Sequence, residues 1–158
     1  MRISFVYRSI IAWAARLTRP LQAPFALLAR VYVSWQFLKS GYLKVSSWDT
    51  TEYLFENEYH VPVLSPHVAA VAGSFGELFF PTLLVLGVAG RLSAAGVFSV
   101  NAMAVVSYSQ FLFAEGHEAA LAQHVLWGAI SLFLVIYGAG HWSLDEVLFH
   151  RAQDSRAT

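Results

Sequence analysis

Four stretches of the chain, about Pro24–Val45, Ser65–Val88, Leu92–Phe113 and Leu121–Gly140, are dominated by Leu, Val, Ala, Phe and Gly. Each reaches the roughly 20 residues that a helix needs to cross a hydrocarbon core of about 30 Å. In lipid every backbone N–H and C=O must find its partner within the structure, so such runs are read as helices. The connections between them are short, which leaves no room for a separate soluble domain. Only 13% of the residues are charged and 57% are apolar, a balance that suits neither a water-soluble globule nor a disordered chain. The expected fold is an all-α integral membrane protein, a bundle of four transmembrane helices.

The charges sort by side. Arg2, Arg8, Arg16 and Arg19 precede the first run, and Arg91 sits between the second and third. Asp49, Glu52, Glu56 and Glu58 lie in the first connection, with Glu115 and Glu118 in the third. Positive residues mark the cytoplasmic side, which places both termini inside a bacterial inner membrane. Ten basic and ten acidic residues hide this asymmetry in a net charge of zero, and no basic footprint points to nucleic acid. The sequence contains no Cys, which excludes disulfides, thiolate metal sites and CxxC redox pairs.

Residues 1–23 form a segment of their own. Ile3, Val6, Ile10, Trp13 and Leu17 recur at helical spacing among arginines, as in a helix lying in the membrane interface. Pro20 and Pro24 are expected to break that helix before the first span. The four-helix domain then covers 24–146. In the first connection, Trp48–Glu52 opens a short helix running to about Glu58. Ser143 and Glu146 have the spacing of a capping box, which opens a short cytoplasmic helix at the end of the chain, and a cytoplasmic tail covers 147–158.

Ionisable groups inside membrane spans are costly and usually face the bundle interior. The first span holds Arg30, Lys39 and Lys44, and the second holds Glu77; Asn101 and His124 lie in the third and fourth. At about 100° per residue, Arg30, Phe37, Gly41 and Lys44 share one stripe, with Lys39 opposite. His124, Gly128 and Ser131 form another stripe, so a polar seam runs down the bundle. Depth along the spans favours Arg30 as the partner of Glu77, with Lys39 approaching from the other direction. The resulting pair is either a functional site or a structural lock that fixes register among Arg30, Lys39, Lys44 and Glu77.

His124 has the chemistry of a proton carrier or of a hydrogen-bond partner for a quinone, and Trp127 and Tyr108 are placed to stack on a flat ring. A metal on the outer face would draw on His60, His67, His117 and His124, although no two of them have the i,i+4 spacing of a helix-borne site. No motif for haem, flavin or thiol chemistry is present.

With these residues in hand, the chain resembles the DoxX family of small bacterial membrane proteins. The resemblance is carried by Leu28-Ala-Arg30, then Gly41-Tyr-Leu-Lys44, then Gly76-Glu77, then Leu86-Gly-Val-Ala-Gly-Arg91. His124-Val-Leu-Trp127-Gly128 and Tyr137-Gly-Ala-Gly-His-Trp-Ser-Leu-Asp145 complete it, over about residues 24–146. Many relatives carry Pro where this chain has Ala139. The acidic outer loop and its histidines lie outside the family pattern. The resemblance implies four membrane helices and a place beside redox, sulfur-stress or metal-handling proteins, with no single chemistry common to the family.

Three functions follow as expectations. The first is a subunit of a redox complex that binds quinone through Arg30, Glu77, Asn101, His124 and Trp127. Such a subunit takes its electrons from a partner protein and is not a complete enzyme by itself. The second is a non-catalytic scaffold or maturation partner that docks a periplasmic or metal-handling protein. A small-solute or metal carrier is third, and it suits a homo-oligomer better than a single four-span chain.

Overall fold

A computed structural model describes the backbone of residues 2–148, and the side chains from residue 7 onward with the exception of Ser9. Among the described residues the fold is entirely helical, with α1 (Arg2–Ser46), α2 (Trp48–Asn57), α3 (Pro66–Leu86), α4 (Gly90–Ser107), α5 (Ser109–Leu112) and α6 (Glu118–Tyr137). A last helical segment occupies 144–148. The expected tail lies mostly outside the described residues, as do the side chains of Arg2, Ile3 and Val6.

α1 packs chiefly along α3, and α4 packs along both α3 and α6, so the four long helices form a ring in the order α1, α3, α4, α6. The ring closes where α1 meets α6, and α2 lies against α3. Val33, Phe37, Leu84, Ala94, Val97 and Leu134 form the common core. Phe55, Ala69 and Ala70 form a second cluster under α2, joined by Trp48, Tyr59 and Val61. The outer faces remain apolar, with Val71, Phe75 and Phe79 on α3 and Val125, Leu132 and Ile136 on α6 all exposed. A continuous apolar exterior of this kind suits lipid rather than water. α3 and α6 are each long and apolar enough to cross a membrane.

Three local expectations change. Pro20 and Pro24 do not end a helix, because α1 runs through both without a break. Each proline removes one backbone N–H, and the surrounding turns carry the helix past the gap. The third run is divided: α4 stops at Ser107, Tyr108 takes φ −115°, and a single turn, α5, follows. The cause is tertiary, since the Ser107 carbonyl accepts from the backbone N–H of His60 at 2.8 Å instead of continuing the helix. Ser65 precedes α3 in an extended conformation with Pro66 at the first helical position, but its side chain makes no cap bond.

At the turn end of the bundle, Gly87 caps α3 in the left-handed region at φ 71°. A side chain there would meet both Arg30 and Ser143, so the turn needs Gly for conformation and for space. Asp145 closes this end. Its two carboxylate oxygens accept from the N–H groups of Ala89 and Gly90, both at 3.0 Å, while its own N–H donates to the Gly87 carbonyl at 3.1 Å. A carboxylate at a helix N-terminus satisfies otherwise unpaired donors and meets the positive end of the helix dipole.

Candidate functional site

The polar residues of the seam separate into two groups at opposite ends of the bundle. At the turn end, Arg30 is fully buried and donates through Nη2 to the Trp142 carbonyl. It lies directly beneath Gly87. Arg30 therefore ties the segment after α6 to α1 and is not the partner of Glu77. Arg30 and Gly87 are level, and Gly87 is ten residues from Glu77 along antiparallel α3, about 15 Å at 1.5 Å per residue. Arg30 and Glu77 come to similar depth only if the first span begins at Pro24, where α1 has no boundary.

Glu77 pairs with Lys44. Nζ of Lys44 lies 3.0 and 2.9 Å from the two Glu77 oxygens and donates a further bond to Ser40 Oγ at 2.8 Å. The pair is nearly closed to the exterior, with side chains 16% and 10% exposed. Its register comes from Gly41, where a Cβ would come within 3.0 Å of Glu77 and Leu78. Without a side chain at that position α1 can approach α3, and Lys44, one turn further on, folds back over Glu77. Lys39 is exposed on the far side of α1 and does not approach the pair.

The second couple is Asn101 with His124. Asn101 Nδ2 donates to the His124 carbonyl at 2.9 Å, which turns its Oδ1 toward His124 Nδ1, also at 2.9 Å. A carboxamide oxygen only accepts, so the imidazole proton sits on Nδ1 and Nε2 of the neutral ring carries the lone pair. Gly128 allows this approach, since a Cβ there would lie 3.2 Å from Asn101 Nδ2. Trp127 packs edge-on between the His124 ring at 4.9 Å and the Phe37 ring at 5.8 Å. Its Nε1–H is buried and has no hydrogen-bond partner among the described residues.

These groups meet in one cavity of about 500 Å³ at the loop end. Lys44, Glu77, His124 and Trp127 line it with Phe37 and Ser40, and Phe55, Tyr59 and Tyr108 form its roof. The roof is a set of crossed rings, with Tyr59 edge-on to Phe55 at 4.9 Å and to Tyr108 at 5.0 Å. Burial, then the neighbouring Tyr108, Glu77 and Glu58, holds the Tyr59 hydroxyl above its ordinary pKa, so it remains a neutral donor. In the sequence Tyr59 reads as one of the loop aromatics that anchor at headgroup level, with no sign of a place in the cavity. Ser40 is signalled only by its place one turn before Lys44.

The four loop-end histidines go to four different partners. His67 Nδ1 meets Glu52 at 2.5 Å, His60 meets Gln110 at 3.2 Å, His117 packs on the Phe111 ring, and His124 holds Asn101. Among the described residues no group of three or more His, Asp or Glu is placed to hold a metal ion. The metal-site expectation at His60, His67, His117 and His124 therefore does not fit this arrangement.

A helical bundle with a lipid-compatible exterior and a polar, aromatic-walled cavity defines a small membrane protein with an internal cavity. The DoxX family model matches residues 25–110, from the packed half of α1 into α5, and the chain belongs to the DoxX family. No curated protein and no solved structure matches it.

Proposed function

We propose that this DoxX family protein is a four-span subunit of a bacterial inner-membrane redox complex that holds a lipid-soluble quinone ring in the loop-end cavity. One observation carries the reading: a single cavity gathers a buried ion pair and an imidazole of fixed tautomer between aromatic walls. Pockets for small ligands are mostly apolar with a few convergent polar groups. The rings of Trp127, Phe37 and Tyr59 supply flat apolar surface for such a ligand. A bound quinone would supply two-electron chemistry. His124 Nε2 offers a lone pair for a hydroxyl proton, Asn101 holds that nitrogen free, and Lys44–Glu77 sets the charge at the cavity wall. The chain has no thiol, so electrons come from a partner protein.

Mass spectrometry of organic extracts from the purified protein tests this. Quinone should accompany the wild type and fall at least about tenfold in His124→Leu, shown to remain folded by its thermal transition. An empty wild-type extract would sink the reading. It would favour the scaffold alternative, for which Asp49, Tyr53, Glu56 and Glu58 provide an exposed acidic face on α2 and its C-terminal end. In that case charge reversal at Asp49 and Glu56 would abolish capture of a periplasmic partner, while His124→Leu would not.

A further inference from the structure

Among the described residues, the large apolar side chains in the first half of α1 are exposed. Tyr7, Ile10, Trp13, Leu17 and Leu21 are all more than half exposed, at 64, 59, 65, 51 and 62%. The bundle comes close at Ala23 and Ala26, where the Gly140 turn approaches. A helix of 45 residues is about 68 Å long at 1.5 Å per residue, roughly twice the hydrocarbon thickness. The part before Pro20 therefore extends past the bundle.

The exposed surface of that part is two-sided. On the wheel, Tyr7, Ile10, Ile11, Trp13, Leu17 and Leu21 fall within an arc of about 160°. Arg8, Arg16 and Arg19 fall within about 80°, centred opposite. No acidic residue occurs before Asp49. We propose that the α1 segment around residues 7–19 docks on the membrane surface next to the turn end of the bundle. There its apolar face sinks among acyl chains and its arginines engage anionic phospholipid headgroups. Charge complementarity selects that occupant, since three arginines without a neighbouring acid match a layer of phosphates. Covalent continuity supports it, because the segment leaves the bundle where α1 emerges from the bilayer.

Docking on the surface requires the axis to turn, and Pro20 and Pro24 mark the place. The two missing N–H groups, four residues apart on one side of the helix, leave the carbonyls of Arg16 and Pro20 without their usual donors. Bending there costs less than elsewhere along α1. The proposal requires that α1 cross the membrane, and is independent of any quinone in the cavity.

The absence of cysteine makes the test clean. The full chain carries single nitroxide labels at Ile10→Cys, Ala12→Cys, Leu17→Cys and Leu21→Cys, and is reconstituted into vesicles with or without phosphatidylglycerol in phosphatidylcholine. With phosphatidylglycerol, labels at 10, 17 and 21 should collide with dissolved oxygen and be shielded from a water-soluble nickel chelate, while the label at 12 does the reverse. That contrast should be lost when Arg8, Arg16 and Arg19 are all changed to Gln. Nickel access at all four sites would overturn the proposal in favour of a rod projecting into water. Shielding of all four from both reagents would replace the lipid with a protein partner, and equal contrast in pure phosphatidylcholine would overturn the anionic-lipid assignment.

Discussion

Glu77 stands out in the sequence as the one acid within the apolar runs, and the structure gives it the partner that depth arguments passed over. Lys44 shares a stripe with Arg30, Phe37 and Gly41, and that stripe does face the bundle. The face of α1 was therefore legible, but the sliding register between α1 and α3 was not. It depends on Gly41 meeting Leu78, a contact that no single-helix pattern contains. Removing one member of a buried pair leaves the other uncompensated, at a cost of about 3–5 kcal/mol. We expect Glu77→Leu to lose most of the thermal stability of the purified protein, and the double change with Lys44→Met to recover much of it. Thermal unfolding in one detergent checks this, and equal losses in the single and double variants would show that the pair is not the source. The His124 site was legible as chemistry, since the residue was singled out by type and position. Its tautomer was not, because that is set by Asn101 on another helix.

At the scale of elements, the segment around residue 145 behaves differently from its sequence pattern. Ser143 and Glu146 have capping-box spacing, and half of the box forms, with the Glu146 N–H donating to Ser143 Oγ at 3.4 Å. The Glu146 carboxylate instead meets His141 Nδ1 at 3.1 Å. The stronger capping is done by Asp145, across the chain onto α4. The Gly87–Arg91 turn and the Ser-Leu-Asp segment, far apart in sequence, are thus one structure, with Arg30 holding Trp142 beneath it. Asp145→Ala should cost about 1 kcal/mol, in the usual range for a lost helix cap. It should also raise amide exchange at Ala89 and Gly90 while leaving the Lys44–Glu77 end unchanged. Hydrogen exchange read by mass spectrometry resolves the two ends, and unchanged protection at 89–90 would remove Asp145 from this role.

For the whole molecule, the distribution of charge makes a prediction that packing cannot. Arg91 lies exposed at the turn end, and Asp49 and Glu56 lie exposed on α2 at the loop end. The positive-inside rule places the turn end in the cytoplasm. Single cysteines at Asp49 or Glu56 should react with a membrane-impermeant maleimide on intact cells, and one at Arg91 only after permeabilisation; the reverse pattern would invert the topology. By itself the sequence determined that the chain is helical and lipid-facing, and which face of each helix is polar. Those properties follow from composition and a 3.6-residue period, which are local. Only the tertiary structure decided where α4 ends, the pairing of Glu77 with Lys44, the tautomer of His124 and the joining of Asp145 to α4. Each depends on where one helix slides or ends against another. That position is set by close approaches at Gly41, Gly87 and Gly128 and by a carbonyl drawn from α4 to His60, contacts that exist only once the helices are assembled.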